Sequence, residues 1–402
     1  MANTSKKSSS KKTTSNSSKK STPNYQKQAT KYVKKAAKKN PKAFIIIVIV
    51  LLLAVGAGFA VWYFLLRKEN KPQTVDTGIT INFLELGNWY TGDSTYIKAG
   101  DVDILIDAGS RKSSSTTIKT YVDQYCTDNK LEYVIATHAH QDHIAGFVGS
   151  KDNPGIFDTY KIGTLIDFAQ ISKDLEKKPT EIYTDYITKR DNKVESGDIE
   201  HHYTALECVE QSNGAQKEYT LAEGITMTIL DQEYYHSQSS DENNHSVCTL
   251  FTQGDNHYLL TGDLEKEGES SLVEKNNLPH CQLFKGGHHG SYTANNDVLL
   301  NAITPETVCI CCCCGSDEYA KSSDRYFPAQ DAINRIAKHT DKIYVTTLST
   351  SNEDRTYTSM NGNITFKCED GINYTIAGSN NSTILKETEW FKENRTWPIG
   401  GK

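Results

Sequence analysis

The chain has 402 residues and a formal net charge of −6, but that charge is unevenly spread. Residues 1–42 hold 13 Lys and no acidic residue, whereas residues 43–402 carry 31 Lys and Arg against 50 Asp and Glu, a balance of −19. So acidic a body argues against a non-specific nucleic-acid binder, though it leaves room for a local basic groove. Ten Cys without regular spacing, in a chain this long, exclude a disulfide scaffold.

The lysine- and serine-rich stretch 1–42 has almost nothing apolar to bury and is expected to stay disordered. Residues 43–66 form an uncharged run of 24 residues, AFIIIVIVLLLAVGAGFAVWYFLL, long enough as a helix to span the lipid bilayer. Trp62 and Tyr63 near its distal end suit the headgroup level. The run is too long for a signal-peptide core, so an uncleaved single-pass anchor is expected. The lysines belong on the cytoplasmic side, which places the C-terminal part outside the cell membrane.

A polar linker at 67–78 leads to one large domain at 79–377. Segment 79–86 is strand-like, 94–109 reads as a hairpin, 115–130 has helical spacing, and 131–140 is an apolar strand entering a His-rich loop. The β–α–β opening argues for a layered α/β domain. Further on, the pattern predicts a strand at 160–166, a charged region at 173–195, a second strand around 204–209 and a hairpin arm at 220–232. Segment 245–264 reads as two strands ending in Thr-Gly-Asp, and 280–291 as a strand ending in a glycine-flanked His pair. The run VCICCCCG reads as a buried strand with Cys used as a small hydrophobe, because adjacent Cys in a strand cannot converge on one metal. A helix at 328–338, a strand at 342–347, a hairpin at 361–377 and a C-terminal tail at 378–402 complete the chain.

The chemistry is concentrated in Thr137-His138-Ala139-His140-Gln141-Asp142-His143. Imidazole and carboxylate suit zinc and related divalent ions, which need several ligands held by a rigid support. In an extended stretch His138 and His140 share one side, while Asp142 and His143 follow the turn and can serve a second ion. Asp263 ends the YLLTGD strand, and His288 and His289 follow LFKGG in the same manner. Asp107 closes DILIDAG and is placed to accept hydrogen bonds from the His-rich loop.

The ordered motifs IDAG, THAHQDH, TGD and HHGS resemble the metallo-β-lactamase superfamily, above all the branch with the outer hydrolase domain of the DNA-uptake competence protein ComEC. The resemblance covers residues 79–375 and implies a four-layer αββα sandwich with a dinuclear site at the shared edge of two sheets. It implies that His138 and His140 bind the first ion, that Asp142 and His143 bind the second, and that Asp263 bridges them. One of His288 and His289 would complete the second site, and the other would contact substrate or protonate the leaving group. The family carries a further His shortly before the bridging Asp. His245 stands 18 residues before Asp263, although this branch has Asn there, as at Asn243 and Asn244. The branch's His-containing turn is replaced by SSDRYFP at 322–328.

The implied activity is metal-dependent hydrolysis with two divalent ions, zinc or manganese, with Asp142, Asp263, His288 and His289 nearest the reaction and Ser291 and Tyr292 beside the substrate. A phosphodiester is the leading substrate, in nucleic acid or in a phosphorylated surface component. Hydrolysis of a C–N or C–S bond uses the same metals, and a non-catalytic tethered binding protein is the alternative from another class. No stable protein partner is expected.

Overall fold

A computed structural model describes residues 78–402 continuously, together with six isolated positions between 31 and 42. Most of the lysine-rich tail, the expected anchor at 43–66 and the linker up to residue 77 lie outside the described residues. Among the described residues no helix is long and apolar enough to cross a membrane.

Sixteen strands form two eight-stranded sheets. The first contains β1 (Ile79–Phe83), β2 (Thr95–Ala99), β3 (Val102–Ile106), β4 (Lys130–Ile135), β5 (Lys161–Asp167), β6 (Ile199–Thr204), β15 (Ile364–Cys368) and β16 (Tyr374–Gly378). Their order is β16-β15-β1-β2-β3-β4-β5-β6, antiparallel as far as β3 and parallel from β3 to β6. The second contains β7 (Glu218–Ala222), β8 (Ile225–Ile229), β9 (Thr249–Gln253), β10 (Asn256–Leu260), β11 (Leu283–Lys285), β12 (Thr307–Cys314), β13 (Ile343–Ser351) and β14 (Thr356–Ser359). Its order is β14-β13-β12-β11-β10-β9-β8-β7, with β10 to β13 parallel.

Three apolar cores define the layers. Ile81, Ile97, Ile104 and Phe366 from one sheet meet Met227, Phe251, Tyr258 and Cys311 from the other. The outer face of the first sheet is covered by helices that include Gln141–Val148 and Glu181–Ser196, through Phe147, Ile182 and Tyr186. On the outer face of the second sheet, Leu272, Leu300 and Ile333 come from helices Lys266–Lys275, Asp297–Ile303 and Gln330–Ile336. Helix, sheet, sheet and helix therefore stack as the expected αββα layers.

The Cys-rich run is β12, buried along its whole length. Cys309 and Cys311 enter the core between the sheets, whereas Ile310, Cys312 and Cys314 face the outer helices. A central parallel strand buried on both faces needs small apolar residues throughout, and reduced Cys supplies them.

One segment differs from expectation. The stretch around 204–209 is not a strand: β6 ends at Thr204, which caps a helix at Ala205–Glu210. A reciprocal capping box between Thr204 and Glu207 starts that helix and overrides the strand-like composition. The charged region at 173–195 forms two helices, Lys173–Lys177 and Glu181–Ser196. The C-terminal tail is packed down, with Leu385 and Phe391 in the outer core. Arg395 there donates to the carbonyl oxygens of Pro328 (3.0 Å) and Tyr326 (2.7 Å).

Candidate metal centre

The site lies where the carboxyl ends of parallel strands from both sheets meet, the edge at which such sheets expose loops to ligands. β3 leads into Asp107, β4 into His138, β10 into Asp263 and β11 into His288 and His289. The first loop is held by Asp107. Its Oδ1 accepts from Thr137 N (2.8 Å), and its Oδ2 accepts from Thr137 Oγ1 (2.8 Å) and His143 Nδ1 (2.7 Å). Asp107 sits at φ 59, a left-handed conformation unusual for a non-glycine residue.

Gly262 lets two loops close over one another. At φ +55, a Cβ there would lie 2.9 Å from both Ser246 Oγ and Thr137 Cβ. Ser246 Oγ accepts from Asp263 N (3.1 Å) and lies 3.4 Å from His138 Nδ1, tying β10's loop to the His-rich loop.

The structure brings seven of the eight sequence-expected residues together. His138 Nε2 and His140 Nδ1 lie 3.0 Å apart. Asp263 Oδ2 lies 3.1 Å from His143 Nε2, 3.2 Å from His289 Nε2 and 3.9 Å from His288 Nε2. His289 Nε2 is also 3.3 Å from Asp142 Oδ2. His245 is the one left out. Its Nδ1 donates to Tyr234 O (3.0 Å), and its Nε2 accepts from Ser239 N (3.3 Å), so both ring nitrogens are spent on backbone.

Sequence reasoning missed Asp93 and Lys285. Asp93 Oδ1 is 3.2 Å from His289 Nδ1, on the far side of that ring from Asp263. The hydrogen bond that orients His289 is to the Cys311 carbonyl (2.9 Å from Nδ1), and Asp93 adds a nearby buried charge. Asp93, His143, Asp263 and His289 cluster tightly enough to hold a metal ion. Lys285 Nζ pairs with Asp93 Oδ2, donates to Gly262 O (3.2 Å) and lies 3.9 Å from Asp263 Oδ1. A visible signal existed: Thr91-Gly92-Asp93 repeats the triplet Thr261-Gly262-Asp263.

The charges depend on one another. Burial disfavours ionisation of Asp263, but His143, His289 and His288 outweigh it and hold the carboxyl well below its ordinary range. Burial likewise opposes charge on His143 and His289, and neighbouring carboxylates raise both far above an ordinary imidazole. His138 is pushed the other way, by burial first and then by His143 and His140. The donor set fits divalent ions. Asp263 Oδ1 is buried without a hydrogen-bond partner, and so is His143 Nε2, which lies near Asp263 but off hydrogen-bonding geometry. Buried oxygen and nitrogen atoms of this kind are costly unless something binds them.

Above the ligands opens a cleft of about 830 Å³, lined by His140, Asp142, Asp263, Glu265, His288 and Tyr319. The segment after β12 forms one wall. Tyr319 donates to Asp142 Oδ2 (3.0 Å) and stacks on Phe327, whose ring packs against His288 and His289. Glu318 anchors this wall by pairing with Arg111 (2.9 Å) and accepting from Thr91 N (2.8 Å). Ser291 and Tyr292 also line the cleft, and Arg325 covers the Tyr292 ring at 4.3 Å.

Residues 87–156, which contain the His-rich loop, match the metallo-beta-lactamase superfamily model. The chain is 25% identical over 319 residues to competence protein ComA of Neisseria gonorrhoeae, covering 75% of this chain and 36% of that protein. It is 24% identical over 219 residues to ComE operon protein 3 of Bacillus subtilis, covering 53% and 23%. The chain therefore spans well under half the length of these relatives. The solved metallo-beta-lactamase fold protein YhfI from Bacillus subtilis is similar with a TM-score of 0.36 and 11% identity, covering 66% of this chain and 95% of that one. The layered sheets and the His- and Asp-rich edge thus accompany a metallo-beta-lactamase superfamily match over residues 87–156 and a similarity to competence proteins.

Proposed function

We propose that this chain is a membrane-anchored, extracytoplasmic phosphodiesterase that works with two divalent ions, zinc or manganese. The observation that carries the reading is the convergence of His143 Nε2 and His289 Nε2 on Asp263 Oδ2, beside Asp142, at the floor of an open cleft. His138 and His140 hold the first ion, Asp142, His143 and His289 the second, and Asp263 is shared. Two such ions lower the pKa of water to near neutrality and neutralise charge developing on a phosphoryl oxygen.

The protein's own part is positioning. Asp107 fixes the His143 ring from behind and the Cys311 carbonyl fixes that of His289, so their Nε2 atoms stay aimed at Asp263. Tyr319, a half-exposed residue, donates its hydroxyl to Asp142 and so helps hold that carboxylate. Phe327 keeps one side of the two His rings dry. The anchoring rests on the apolar run 43–66 and the lysine-rich leader. The names of the relatives, competence proteins and recombination protein 2 of Haemophilus influenzae, favour nucleic acid as the phosphodiester.

The test is a substrate panel on the full-length chain in detergent, with manganese or zinc added: single- and double-stranded DNA, a chromogenic phosphodiester, a β-lactam and a thioester. Hydrolysis of phosphodiesters above the others is expected. Preference for the β-lactam or the thioester would move the activity to C–N or C–S bonds, and two bound metals with no hydrolysis would make the chain a binding protein.

A further inference from the structure

His143, His289 and His288 repeat one arrangement three times. Each turns Nε2 toward the same atom, Asp263 Oδ2, at 3.1, 3.2 and 3.9 Å respectively. A carboxylate also lies near each Nδ1, Asp107 at 2.7 Å, Asp93 at 3.2 Å and Glu265 at 3.0 Å, although His289 Nδ1 bonds to Cys311 O (2.9 Å) and His288 Nδ1 is also 3.2 Å from Thr293 Oγ1. An outer carboxylate on the distal nitrogen is the usual dress of a metal-binding imidazole, because it fixes the tautomer and raises ligand basicity. His288 stands farther from Asp263 and faces the cleft, yet it turns Nε2 to the same oxygen and has a carboxylate near its Nδ1.

The surroundings of Glu265 strengthen the pattern. Its Oε1 accepts from Thr293 Oγ1 (2.7 Å) and Asn243 Nδ2 (3.2 Å). Its backbone N donates to Asn244 Oδ1 (3.3 Å). The Asn-Asn pair directly before His245 therefore serves the carboxylate that orients His288, while His245 itself points into backbone. His288 and His289 also hold consecutive left-handed conformations, φ 46 and φ 53, which cost energy for side-chain-bearing residues and turn the two rings into the site together. On the first ion's side, His138 and His140 with the shared Asp263 make three ligands, one short of a tetrahedral set.

We infer that His288 is the third imidazole ligand of the first ion, filling the place that His245 does not reach, and that Glu265 is its positioning residue. The assignment rests on the two-metal reading above. The first ion then has His138, His140, His288 and the shared Asp263; the second keeps Asp142, His143 and His289 with Asp263.

Metal binding, not turnover, decides the matter. Metal-depleted full-length protein is titrated with Co²⁺ by calorimetry, and bound metal is counted by elemental analysis after gel filtration. Wild type and His245→Gln are expected to bind two ions with the same affinities. His288→Ala should keep one ion and bind the other at least about 100-fold more weakly, and Glu265→Gln should weaken that same ion by about 10–100-fold. A second measurement needs no variant. In protein labelled with ¹⁵N-histidine and loaded with ¹¹³Cd²⁺, five imidazole nitrogens split by cadmium are expected. Four split nitrogens, or a folded His288→Ala that binds both ions as wild type does, would overturn the assignment and leave the two-metal centre standing. Wild-type protein that binds no ion would overturn the centre itself, and this ligand with it.

Discussion

Lys285 and Asp93 show how far the site reaches below its ligands. Lys285 is only 2% exposed, and although burial alone would strip its proton, Asp93 and Asp263 hold the ammonium charged. A buried pair is costly to form and more costly to break, since losing one partner strands the other. In metal-depleted protein, Lys285→Met is expected to lower unfolding stability by about 3–5 kcal/mol in a denaturant titration. Adding Asp93→Asn to that variant should recover part of the loss, because the two residues share one interaction. Strictly additive losses would show that the pair does not act as a unit. The sequence made the candidate ligands legible because four of them fall within six residues on one loop. Asp93 had only the repeated Thr-Gly-Asp triplet to mark it, and Lys285 is a single charged residue in a local pattern that also suits a strand end. Only the apposition of β11 with the loop before β2 shows that both are buried.

Among the elements, helix Gln141–Val148 carries Asp142 and His143 and lies close against the strand-end loop at Ala108. Gly146 allows this, since its N–H reaches Ala108 O at 2.9 Å and a Cβ there would lie 2.1 Å from the same oxygen. Gly→Ala normally stabilises a helix by about 0.5–1 kcal/mol. Here the clash with backbone outweighs that gain, so Gly146→Ala should destabilise by about 1–3 kcal/mol, read as a lower melting temperature. It should also weaken the second ion, because Ala108 N donates to His143 O (2.7 Å) and the displaced helix carries that contact away. A higher melting temperature would contradict this packing. Strands with plain apolar runs, β4, β10 and β12, were readable from sequence because both their faces are buried. Helix Ala205–Glu210 was not, since a capping box spread over Thr204 and Glu207 decides it and the apolar pattern does not. The wall at Glu318–Phe327 was equally hidden, because its contacts to Arg111, Thr91 and Asp142 span more than 170 residues of chain.

For the whole molecule, the C-terminal residues matter to the site at a distance, since Arg395 clamps Tyr326 and Pro328 next to the Phe327 wall. The packing of Leu385 and Phe391 into the outer core came from tertiary contact, with no periodic pattern long enough to announce it. The topology implied by the lysine-rich leader and the apolar run 43–66 has its own check. Protease added to intact cells should digest the region holding Asp142 and leave the leader protected; the reverse would overturn the orientation. The central claim, a working two-metal centre joined through Asp263, is tested most directly by measuring metal content and phosphodiester turnover side by side on wild type and Asp263→Asn. Asn keeps the size of the side chain but removes the negative charge that faces the Nε2 atoms of His143 and His289. Wild type should hold two ions, and the folded variant should hold fewer while losing at least about 100-fold in turnover, the scale on which one electrostatic contact at a reaction centre commonly counts. An Asp263→Asn protein with two ions and undiminished turnover would contradict the account.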